Sequence, residues 1–344
     1  MAISSAPPSV EALEEWLSRP SDEAVQTLAA LEGDLVVLGV GGKMGPTLAR
    51  MARRASDQAG VARRVIGVSR FSDDRLRRRL EQWGIETIAC DLLDEDQVQS
   101  LPLVPNVIFM AGRKFGAAEN PSLTWAMNCH VPALVCRRFQ NSRIVAFSSG
   151  NVYPMVPVDS SGSRESDPPE PVGEYAMSVL GRERIFEHFS QMLGTPVVLL
   201  RLNYATELRY GVLVDLARDV LAGRAVDLGM ARVNVIWQGD ANAMALTALA
   251  HAASPAKTLN LAGPEILRVR TVAEQFGRLM DRPVQFVGQE GTRAYLNDGR
   301  GAYPLLGHPS ISADQMVRWT ADWVMRGGES LGKPTHFQVQ NGRF

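Results

Sequence analysis

The sequence predicts an α/β fold organised around a doubly wound parallel sheet. From Asp34 onward, apolar runs of strand length alternate with amphipathic helical patterns. The first of these runs leads into a glycine-rich turn, and a helical pattern begins directly after the turn. Strands that alternate with helices in this way form parallel sheets, because a parallel strand needs a long crossover to return to the same edge.

The predicted elements follow one another in a regular order. Buried strands are expected at Leu35–Val40, Val65–Val68, Thr87–Ala89, Val107–Met110, Ile144–Phe147 and Val197–Leu200. Helices are expected at Thr47–Ala55, Asp74–Trp83, Ser122–Phe139 and Glu174–Leu193. After Arg201 the pattern is irregular, with helices expected at Val212–Ala222, from Asp240, at Val272–Met280 and at Ala313–Met325, and strands at Val233–Trp237 and Thr258–Leu261.

This pattern divides the chain into three parts. Residues 1–32 form a short helical N-terminal extension, and residues 33–204 form a Rossmann dinucleotide-binding domain. Residues 205–344 form a smaller C-terminal α/β substrate lobe, with segments near 233–262 returning to the Rossmann sheet. The stretch from Tyr153 to Gly173 is dense in proline, serine and acidic residues and too long for an ordinary connection, which predicts a lid or binding loop.

Charge and composition narrow the class of protein. The chain has 344 residues and a formal net charge of −1, so no overall field favours nucleic acid or an anionic membrane. The basic run from Arg75 to Arg79 is diluted by neighbouring acids and predicts a solvated helix face. No apolar run reaches the ~20 residues of a membrane span. The first residues lack the basic segment of a secretory signal.

The cysteines and histidines indicate no metal chemistry. Cys90, Cys129 and Cys136 lie in apolar stretches without the spacing of metal ligands, which predicts buried free thiols in a reducing compartment. The five histidines are scattered, and none forms a metal-binding pair. We therefore expect a cytoplasmic protein without a metal site that acts on a small molecule, and neither nucleic acid nor membrane as partner.

The glycine-rich turn predicts a dinucleotide site. The turn reads Gly39-Val40-Gly41-Gly42-Lys43-Met44-Gly45, and Pro46 suits the first position of the following helix. Glycine allows tight backbone geometry and close approach of a pyrophosphate, while the helix offers free N–H groups and the positive end of its dipole. Because the turn follows the first strand and opens its helix, we predict that it binds NAD or NADP.

Residues after the second and third strands bear on the choice of cofactor. Ser69 and Arg70 end the second strand, where an NAD-selective site places an acid for the ribose 2′-hydroxyl. A hydroxyl and a guanidinium suit a 2′-phosphate, so NADP is slightly favoured. The alternative is that Arg70 only points to solvent. Asp91 ends the third strand, where a carboxylate can meet the adenine amino group or cap a helix.

Taken together, these motifs resemble the extended short-chain dehydrogenase/reductase family, the NAD(P)-dependent epimerase/dehydratase group. The matching features, in chain order, are Gly39-x-x-Gly42-x-x-Gly45, Asp91-Leu92, Ala111-Gly112, Asn128, Ser148-Ser149-Gly150-Asn151-Val152-Tyr153, Tyr175 with Ser178 and Glu183, Arg201-Leu202-Asn203-Tyr204 and Asn260-Leu261-Ala262-Gly263-Pro264-Glu265. The resemblance spans roughly residues 35–325 in the order that the family shows.

The resemblance implies a set of site residues. Ser149 would hydrogen-bond the reacting hydroxyl or carbonyl, and Tyr175 would exchange its proton while hydride moves to or from the nicotinamide. Asn128 would help to order a water. The residues expected to contact the cofactor are Gly39, Gly42, Lys43, Met44, Gly45, Ser69, Arg70, Asp91, Leu92, Ala111, Gly112, Asn128, Tyr175 and Asn203. The resemblance also implies a homodimer formed by the helices predicted at Ser122–Phe139 and Glu174–Leu193.

One position departs from the family pattern. The family places lysine four residues after the tyrosine, on the same helix face, where its ammonium lowers the pKa of the phenol. This chain has Val179 there. Arg113 and Lys114 directly follow Ala111-Gly112 at the end of the fourth strand, so either cation is a candidate replacement, with Lys114 our first choice. The alternative is that both are solvated loop charges.

The sequence thus predicts an NAD(P)-dependent oxidoreductase or epimerase/dehydratase. It would act by reversible hydride transfer on a carbohydrate-derived or other polyhydroxylated substrate, whose carboxylate or hydroxyls Arg209 and Tyr210 are placed to bind. Because Val179 removes the usual lysine, the alternative is a catalytically silent protein that senses the cofactor or scaffolds a partner.

Overall fold

A computed structural model describes residues 5–342 of the chain. The helices are α1 Val10–Leu17, α2 Asp22–Ala30, α3 Gly45–Gln58, α4 Asp74–Gln82, α5 Glu95–Ser100, α6 Pro121–Trp125, α7 Val131–Arg138, α8 Gly173–Leu193, α9 Val212–Leu221, α10 Gln238–Thr247, α11 Val269–Met280, α12 Tyr303–Leu306 and α13 Ala313–Met325. Two 3₁₀ turns lie at Gly150–Val152 and Ala248–His251, and a π-helical turn, Ala126–His130, joins α6 to α7.

The strands fall into one large sheet and several short pairs. They are β1 Leu35–Leu38, β2 Val65–Ser69, β3 Glu86–Ala89, β4 Asn106–Phe109, β5 Arg143–Ser149, β6 Val156–Pro157, β7 Val197–Leu202, β8 Ala205–Thr206, β9 Val226–Asp227, β10 Arg232–Asn234, β11 Ile236–Trp237, β12 Lys257–Leu261, β13 Ile266–Arg268, β14 Phe286–Val287 and β15 Arg293–Ala294.

The large sheet has seven parallel strands in the order β12-β7-β5-β4-β1-β2-β3. The chain moves outward from β1 through β2 to β3, then crosses to β4 on the other side of β1. The strand order therefore reverses at β1 and β4, and ligands of such sheets lie at this reversal, beyond the carboxyl ends of the strands. The predicted doubly wound parallel sheet is confirmed.

Helices cover both faces of this sheet. Side chains alternate along β1, so Leu35 and Val37 pack on one face while Val36 and Leu38 pack on the other. Helices α2, α3 and α10 cover the first face, and α5, α7 and α8 cover the second. A separate apolar core holds α9, α11 and α13 together with α1.

Residues 257–261 of the C-terminal part rejoin the large sheet as β12, which pairs with β7 along its full length. The predicted strand at Val233–Trp237 is instead two short strands outside the large sheet, β10 and β11. The boundaries of the three predicted parts stay a prediction.

The N-terminal extension connects the two lobes through one buried carboxylate. Glu14 on α1 lies 3.2 Å from Arg209, at the start of the C-terminal lobe, and 3.0 Å from Arg79 on α4. The next residue, Glu15, lies 2.8 Å from Arg54 on α3. These contacts fix α1 against the dinucleotide-binding domain and the lobe together.

The proline-rich stretch from Tyr153 to Gly173 is attached along its length. Its strand β6 pairs with β15, and Ser163 donates its N–H to the carbonyl of Leu296 at 2.8 Å. The Glu165 carboxylate accepts the N–H of Asn260, on β12, at 2.9 Å. The stretch therefore belongs structurally to the C-terminal lobe and to the edge of the large sheet.

The exposed arginines of α4 pair with Asp73, Asp74 and Glu81, which agrees with the predicted solvated face. Among residues 5–342, no helix is both long and apolar enough to cross a membrane. Within the same range, no three or more histidine, cysteine or acidic side chains are grouped to hold a metal ion.

Candidate functional site

A cavity of about 170 Å³ lies over the carboxyl ends of the central strands. The glycine-rich turn after β1, the loop after β4, the end of β5 and the start of α8 all contribute side chains to its wall. Ser149, Tyr175, Lys43 and Lys114, four residues that the sequence singled out, line this one cavity. The parallel sheet brings them together because all its strands end at the same edge.

The turn between β1 and α3 is built on two crowded glycines. Gly39 has φ +87°, and a Cβ atom there would lie 2.6 Å from the backbone nitrogen of Ala111. A Cβ atom on Gly45 would collide with the carbonyl of Val40. The turn therefore packs directly against its own strand and against the end of β4, so these two positions have no space for a side chain.

Gly42 differs, because it faces open space. It is exposed, and a Cβ atom there would meet only the carbonyl oxygen of Gly39, at 3.4 Å. The adjacent N terminus of α3 begins with Pro46 near its first position and has no side-chain cap from Met44. An open glycine beside an uncapped helix N terminus fits the pyrophosphate of a dinucleotide.

The residues after β2 and β3 lie at the same edge of the sheet as this turn, because these strands run parallel to β1. The Ser69 hydroxyl borders Gly41, since a Cβ atom there would lie 2.5 Å from it. Arg70 is exposed and belongs to no ion pair among residues 5–342. Asp91 accepts the N–H of Leu93 at 3.1 Å, so it stabilises the turn after β3, and Leu92 is buried.

Ser149 and Tyr175 come from neighbouring elements. Ser149 ends β5, and its hydroxyl accepts the N–H of Asn151 at 3.2 Å. Tyr175 lies in the first turn of α8 and is partly buried. Both residues line the cavity, so one bound ligand can contact both of them.

Val179 occupies an apolar site. It is 1% exposed and packs with Val152 and Tyr153, away from water. The Tyr153 hydroxyl accepts a hydrogen bond from Arg201 at 2.6 Å and donates one to Asn260 at 3.0 Å. The position where the family has lysine is thus part of a small hydrophobic cluster.

Lys114 stands beside the tyrosine. Its ammonium lies 5.7 Å from the centroid of the Tyr175 ring, and burial lowers the pKa of Lys114 to about 8. The loop after β4 therefore carries a cation to the cavity that contains Tyr175. Lys114 was the first choice for a replacement cation in the sequence analysis. The other candidate, Arg113, donates a hydrogen bond to the carbonyl of Gly116 in its own loop, at 3.2 Å.

A second lysine enters the same cavity from the glycine-rich turn. The Lys43 ammonium lies 3.1 Å from the centroid of the Tyr210 ring and 4.9 Å from that of Phe115. Burial, and then the charge of Lys114, lower the pKa of Lys43 to about 7. The cavity is electropositive at the point where the turn meets the catalytic candidates.

A third cation lies below the cavity, and the sequence analysis missed it. Arg182 is buried two turns after Tyr175 on α8, donating to the Phe147 carbonyl and to Asn128 Oδ1, each at 2.7 Å. A Cβ atom on Gly112 would collide with its guanidinium. The spacing of seven residues, which keeps a side chain on one helix face, was the signal available in the sequence.

Asn128 connects this arginine to the start of α8. Its amide nitrogen donates to Ser178 Oγ at 2.9 Å, and Ser178 donates to the carbonyl of Tyr175 at 2.8 Å. Its oxygen also accepts the N–H of Arg113 at 2.9 Å. Asn128 is fully buried with both ends of its amide bonded to protein, so it holds the tyrosine's helix in place.

The residues after β7 divide between support and cavity lining. Asn203 donates to Asn234 Oδ1 at 2.7 Å, while its own buried oxygen has no hydrogen-bond partner among the described residues. Arg209, a candidate for binding a ligand carboxylate, is instead buried against Glu207 at 3.0 Å and against Glu14. Tyr210 does line the cavity.

The cavity wall also includes Gln238 of α10 and Thr335 near the C terminus. No sequence pattern marked either residue. Thr335 is fixed by Asp215, which accepts both its N–H and its hydroxyl, at 2.8 and 2.6 Å.

Three solved structures that contain NAD share this fold. The chain superposes on UDP-glucuronic acid 4-epimerase from Bacillus cereus, in complex with UDP-glucuronic acid and NAD, with a TM-score of 0.69 and 15% identity over 85% of this chain and 99% of the other. UDP-glucose 4-epimerase from Thermus thermophilus, in complex with NAD, superposes with a TM-score of 0.69. Its sequence is 19% identical over 86% of this chain and 99% of the other. dTDP-glucose 4,6-dehydratase from Streptomyces venezuelae, with NAD bound, superposes with a TM-score of 0.71. Its sequence is 18% identical over 86% of this chain and 97% of the other.

At this level of identity the structures show a shared fold. No curated protein matches the sequence. The family described as "NAD dependent epimerase/dehydratase family" matches residues 35–262, well over half of the chain and a span that contains every predicted site residue from Gly39 to Asn203. The predicted resemblance and the predicted class of NAD(P)-dependent enzyme are confirmed. The chain therefore belongs to the NAD-dependent epimerase/dehydratase family of enzymes.

Proposed function

We propose that the protein catalyses reversible hydride transfer at a hydroxyl-bearing carbon of a nucleotide-linked sugar, as an oxidation or within an epimerisation or dehydration. The observation that carries this proposal is the convergence of Ser149, Tyr175 and Lys114 on one cavity beside the glycine-rich turn. A hydroxyl that can hydrogen-bond the reacting oxygen, a phenol that can exchange its proton and a nearby cation suit such chemistry. The neighbouring folds bound to UDP-glucuronic acid or UDP-glucose support a sugar nucleotide as the substrate class.

The residues of the turn fit the cofactor. Gly42 and the N terminus of α3 would hold the pyrophosphate, Ser69 and Arg70 the adenosine ribose, and Asp91 the adenine. A bound nicotinamide dinucleotide supplies the hydride acceptor of the reaction. We favour NADP slightly, because Arg70 is exposed beside Ser69 and no acid occupies the end of β2.

Each polar side chain of the cavity has its own role in the proposed proton transfer. Tyr175 would take the proton from the substrate hydroxyl, and Ser149 would hydrogen-bond the same oxygen as its charge changes. A tyrosine with the ordinary pKa of ~10 is a poor base at neutral pH unless a cation is close. Lys114, with a pKa of about 8, carries that charge at neutral pH. Asn128 and Arg182 fix the tyrosine's helix below the site.

Assembly and location complete the proposal. We propose a cytoplasmic homodimer formed through α6, α7 and α8. Trp125 and Met177 support this interface because they leave 36% and 47% of their surface exposed on these helices. The large side chains Phe186 and Phe189 of α8 do not contribute, since they pack within the core of the protomer.

Turnover of a sugar-nucleotide panel by the wild type and by Tyr175→Phe tests the proposed reaction. We expect formation of oxidised or epimerised product with NAD or NADP, and a loss of ~10²–10⁴ in kcat for Tyr175→Phe. The matched control is Tyr303→Phe, which removes a hydroxyl bonded to the carbonyl of Ala262 and outside the cavity wall. Tight cofactor binding without any turnover by the wild type would contradict the proposal and favour a cofactor sensor, which the apolar surroundings of Val179 would suit.

A further inference from the structure

Lysine is rare in this chain and concentrated at the site. The sequence contains 36 basic residues of the lysine and arginine type, yet lysine occurs only at Lys43, Lys114, Lys257 and Lys333. Two of these four line the cavity that contains Tyr175, and the charge of Lys333 also reaches Lys43. Because almost all other basic residues of the chain are arginines, the two lysines in the cavity do not reflect a generally lysine-rich surface.

Lys43 also differs from the buried arginines in what surrounds it. Arg201 lies 2.7 Å from Glu183, and Arg209 lies 3.0 Å from Glu207, so each has a buried carboxylate. The contacts of the Lys43 ammonium are the faces of two aromatic rings, Tyr210 and Phe115. Aromatic faces stabilise a cation by less than the free energy that the cation loses when it gives up its hydration.

The acids near Lys43 are already committed to other groups. Two carboxylates act on its charge, those of Asp215 and Glu207. Asp215 accepts two hydrogen bonds from Thr335, and Glu207 pairs with Arg209. Within residues 5–342, no ion pair includes Lys43, and its ammonium faces the cavity. An anionic group entering the cavity would supply the partner that the protein itself does not.

We propose that Lys43 binds a carboxylate of the substrate, so that the substrate is an acidic sugar derivative such as a uronic acid. This inference rests on the proposed function and adds to it the class of sugar. Lys43 belongs to the cavity wall that also contains Tyr175 and Ser149. A carboxylate held there would place the rest of a sugar ring against the tyrosine and the serine.

A second source of negative charge is the cofactor diphosphate. Gly42 is exposed on the open side of the turn, whereas the Lys43 side chain reaches across to Tyr210, on the C-terminal side of the cavity. Tyr210 precedes α9 of the lobe, and the turn at Gly42 precedes α3 of the dinucleotide-binding domain. The direction of the side chain thus favours the substrate as the source of the anion, while the backbone of the turn remains for the diphosphate.

A pair of ligands that differ in one group tests this inference. UDP-glucuronic acid and UDP-glucose differ only in carrying a carboxylate or a hydroxymethyl at the sugar. Binding of each to the NAD-loaded protein would be measured by calorimetry for the wild type, Lys43→Met and Lys43→Arg, and NAD binding would be measured separately. The matched control is Lys257→Met, the same substitution at the first residue of β12, away from the carboxyl ends of the strands.

We expect the wild type to bind the acid at least tenfold more tightly than the neutral sugar. Lys43→Met should lose this preference, Lys43→Arg should keep part of it, and Lys257→Met should keep all of it. An unchanged preference in Lys43→Met, or no binding of the acid by the wild type, would overturn the inference. An equal loss of NAD affinity would assign the lysine to the diphosphate instead, and would also overturn it.

The same experiment separates this inference from the proposed reaction. If the acid binds through Lys43 but neither sugar is turned over, the anion site stands and the proposed hydride transfer is wrong. If UDP-glucose is bound and turned over as well as the acid, the reaction stands and the carboxylate site is wrong.

Discussion

Val179 and Lys114 together describe how this site departs from its family. A valine closes the position where a lysine is expected, and it does so as part of a buried apolar cluster with Val152 and Tyr153. The cation near Tyr175 comes instead from the loop after β4, where the Lys114 ammonium lies 5.7 Å from the tyrosine ring. We propose that Lys114 supplies, from another element, the charge that the family takes from its own lysine.

We expect Lys43 to strengthen the binding of an anionic substrate but to lower the stability of the folded protein. Its pKa of about 7 in the folded protein is below the ordinary 10.5, so between these values the unfolded state binds more protons. The free energy of unfolding therefore rises with pH across this window, and below pH 7 the burial of the charge opposes folding in full. The groups that face Lys43 are Lys114, Lys333, Asp215 and Glu207.

We expect Lys43→Met to raise the free energy of unfolding at pH 6 by roughly 1–4 kcal/mol, and by clearly less at pH 9.5. Urea denaturation of the wild type and variant at both pH values measures the difference, with Lys257→Met as the control. A variant that is no more stable than the wild type at pH 6 would show that the ammonium is well solvated or paired.

Helix α8 is the element that holds Tyr175 in the cavity wall. Glu183 joins it to β7 through Arg201 at 2.7 Å, and Arg182 joins it to β5 through the carbonyl of Phe147. Both contacts are buried, so the start of the helix, with Tyr175, is held against the strand ends. On the other side of the cavity, the glycine-rich turn is fixed by its contacts with β4.

Because Gly42 faces open space, a negative charge introduced there tests whether the turn binds the cofactor diphosphate. Gly42→Asp should weaken NAD and NADP binding by at least tenfold relative to Gly42→Asn, because only the aspartate repels a diphosphate. Both variants should fold, since a Cβ atom there has space and φ is not in the left-handed region. Calorimetry measures the affinities, and equal binding by the two variants would remove the diphosphate from this turn.

Much of the site was predictable because the chemistry lies at strand ends. Two residues of the 39–45 turn, Lys43 and Met44, line one cavity with Ser149, Tyr175 and Lys114. Arg209 was misassigned to the ligand because its partner Glu14 lies 195 residues away in the chain. The predicted helix Ser122–Phe139 is interrupted by a π-helical turn around Asn128, which no apolar periodicity reveals.

Across the whole molecule, the dinucleotide-binding domain and the C-terminal lobe are joined by α1. Glu14 contacts Arg209 of the lobe and Arg79 of the domain, so the relative position of the two walls of the cleft depends on this extension. The exposed apolar side chains of α6 and α8 lie on another part of the surface, where a second copy can cover them.

We expect the homodimer to form through the exposed apolar side chains of α6 and α8. Light scattering should give a mass about twice 37.6 kDa at micromolar concentration. Met177→Glu should shift the protein toward the monomer, because a carboxylate in an apolar interface is costly to desolvate. Leu103→Glu, at a residue 67% exposed before β4, should remain dimeric. A monomer mass for the wild type would contradict the proposed homodimer.

Turnover by Lys114→Met tests the replacement cation most directly. We expect a loss of ~10²–10⁴ in kcat and a smaller change in cofactor affinity, because the substitution removes the ammonium that lies 5.7 Å from the Tyr175 ring. Lys114→Arg should recover part of the rate. Arg113→Met, at the neighbouring cation that bonds its own loop, should lose less than tenfold. Normal turnover by Lys114→Met, with Tyr175→Phe inactive, would show that the tyrosine works without this lysine.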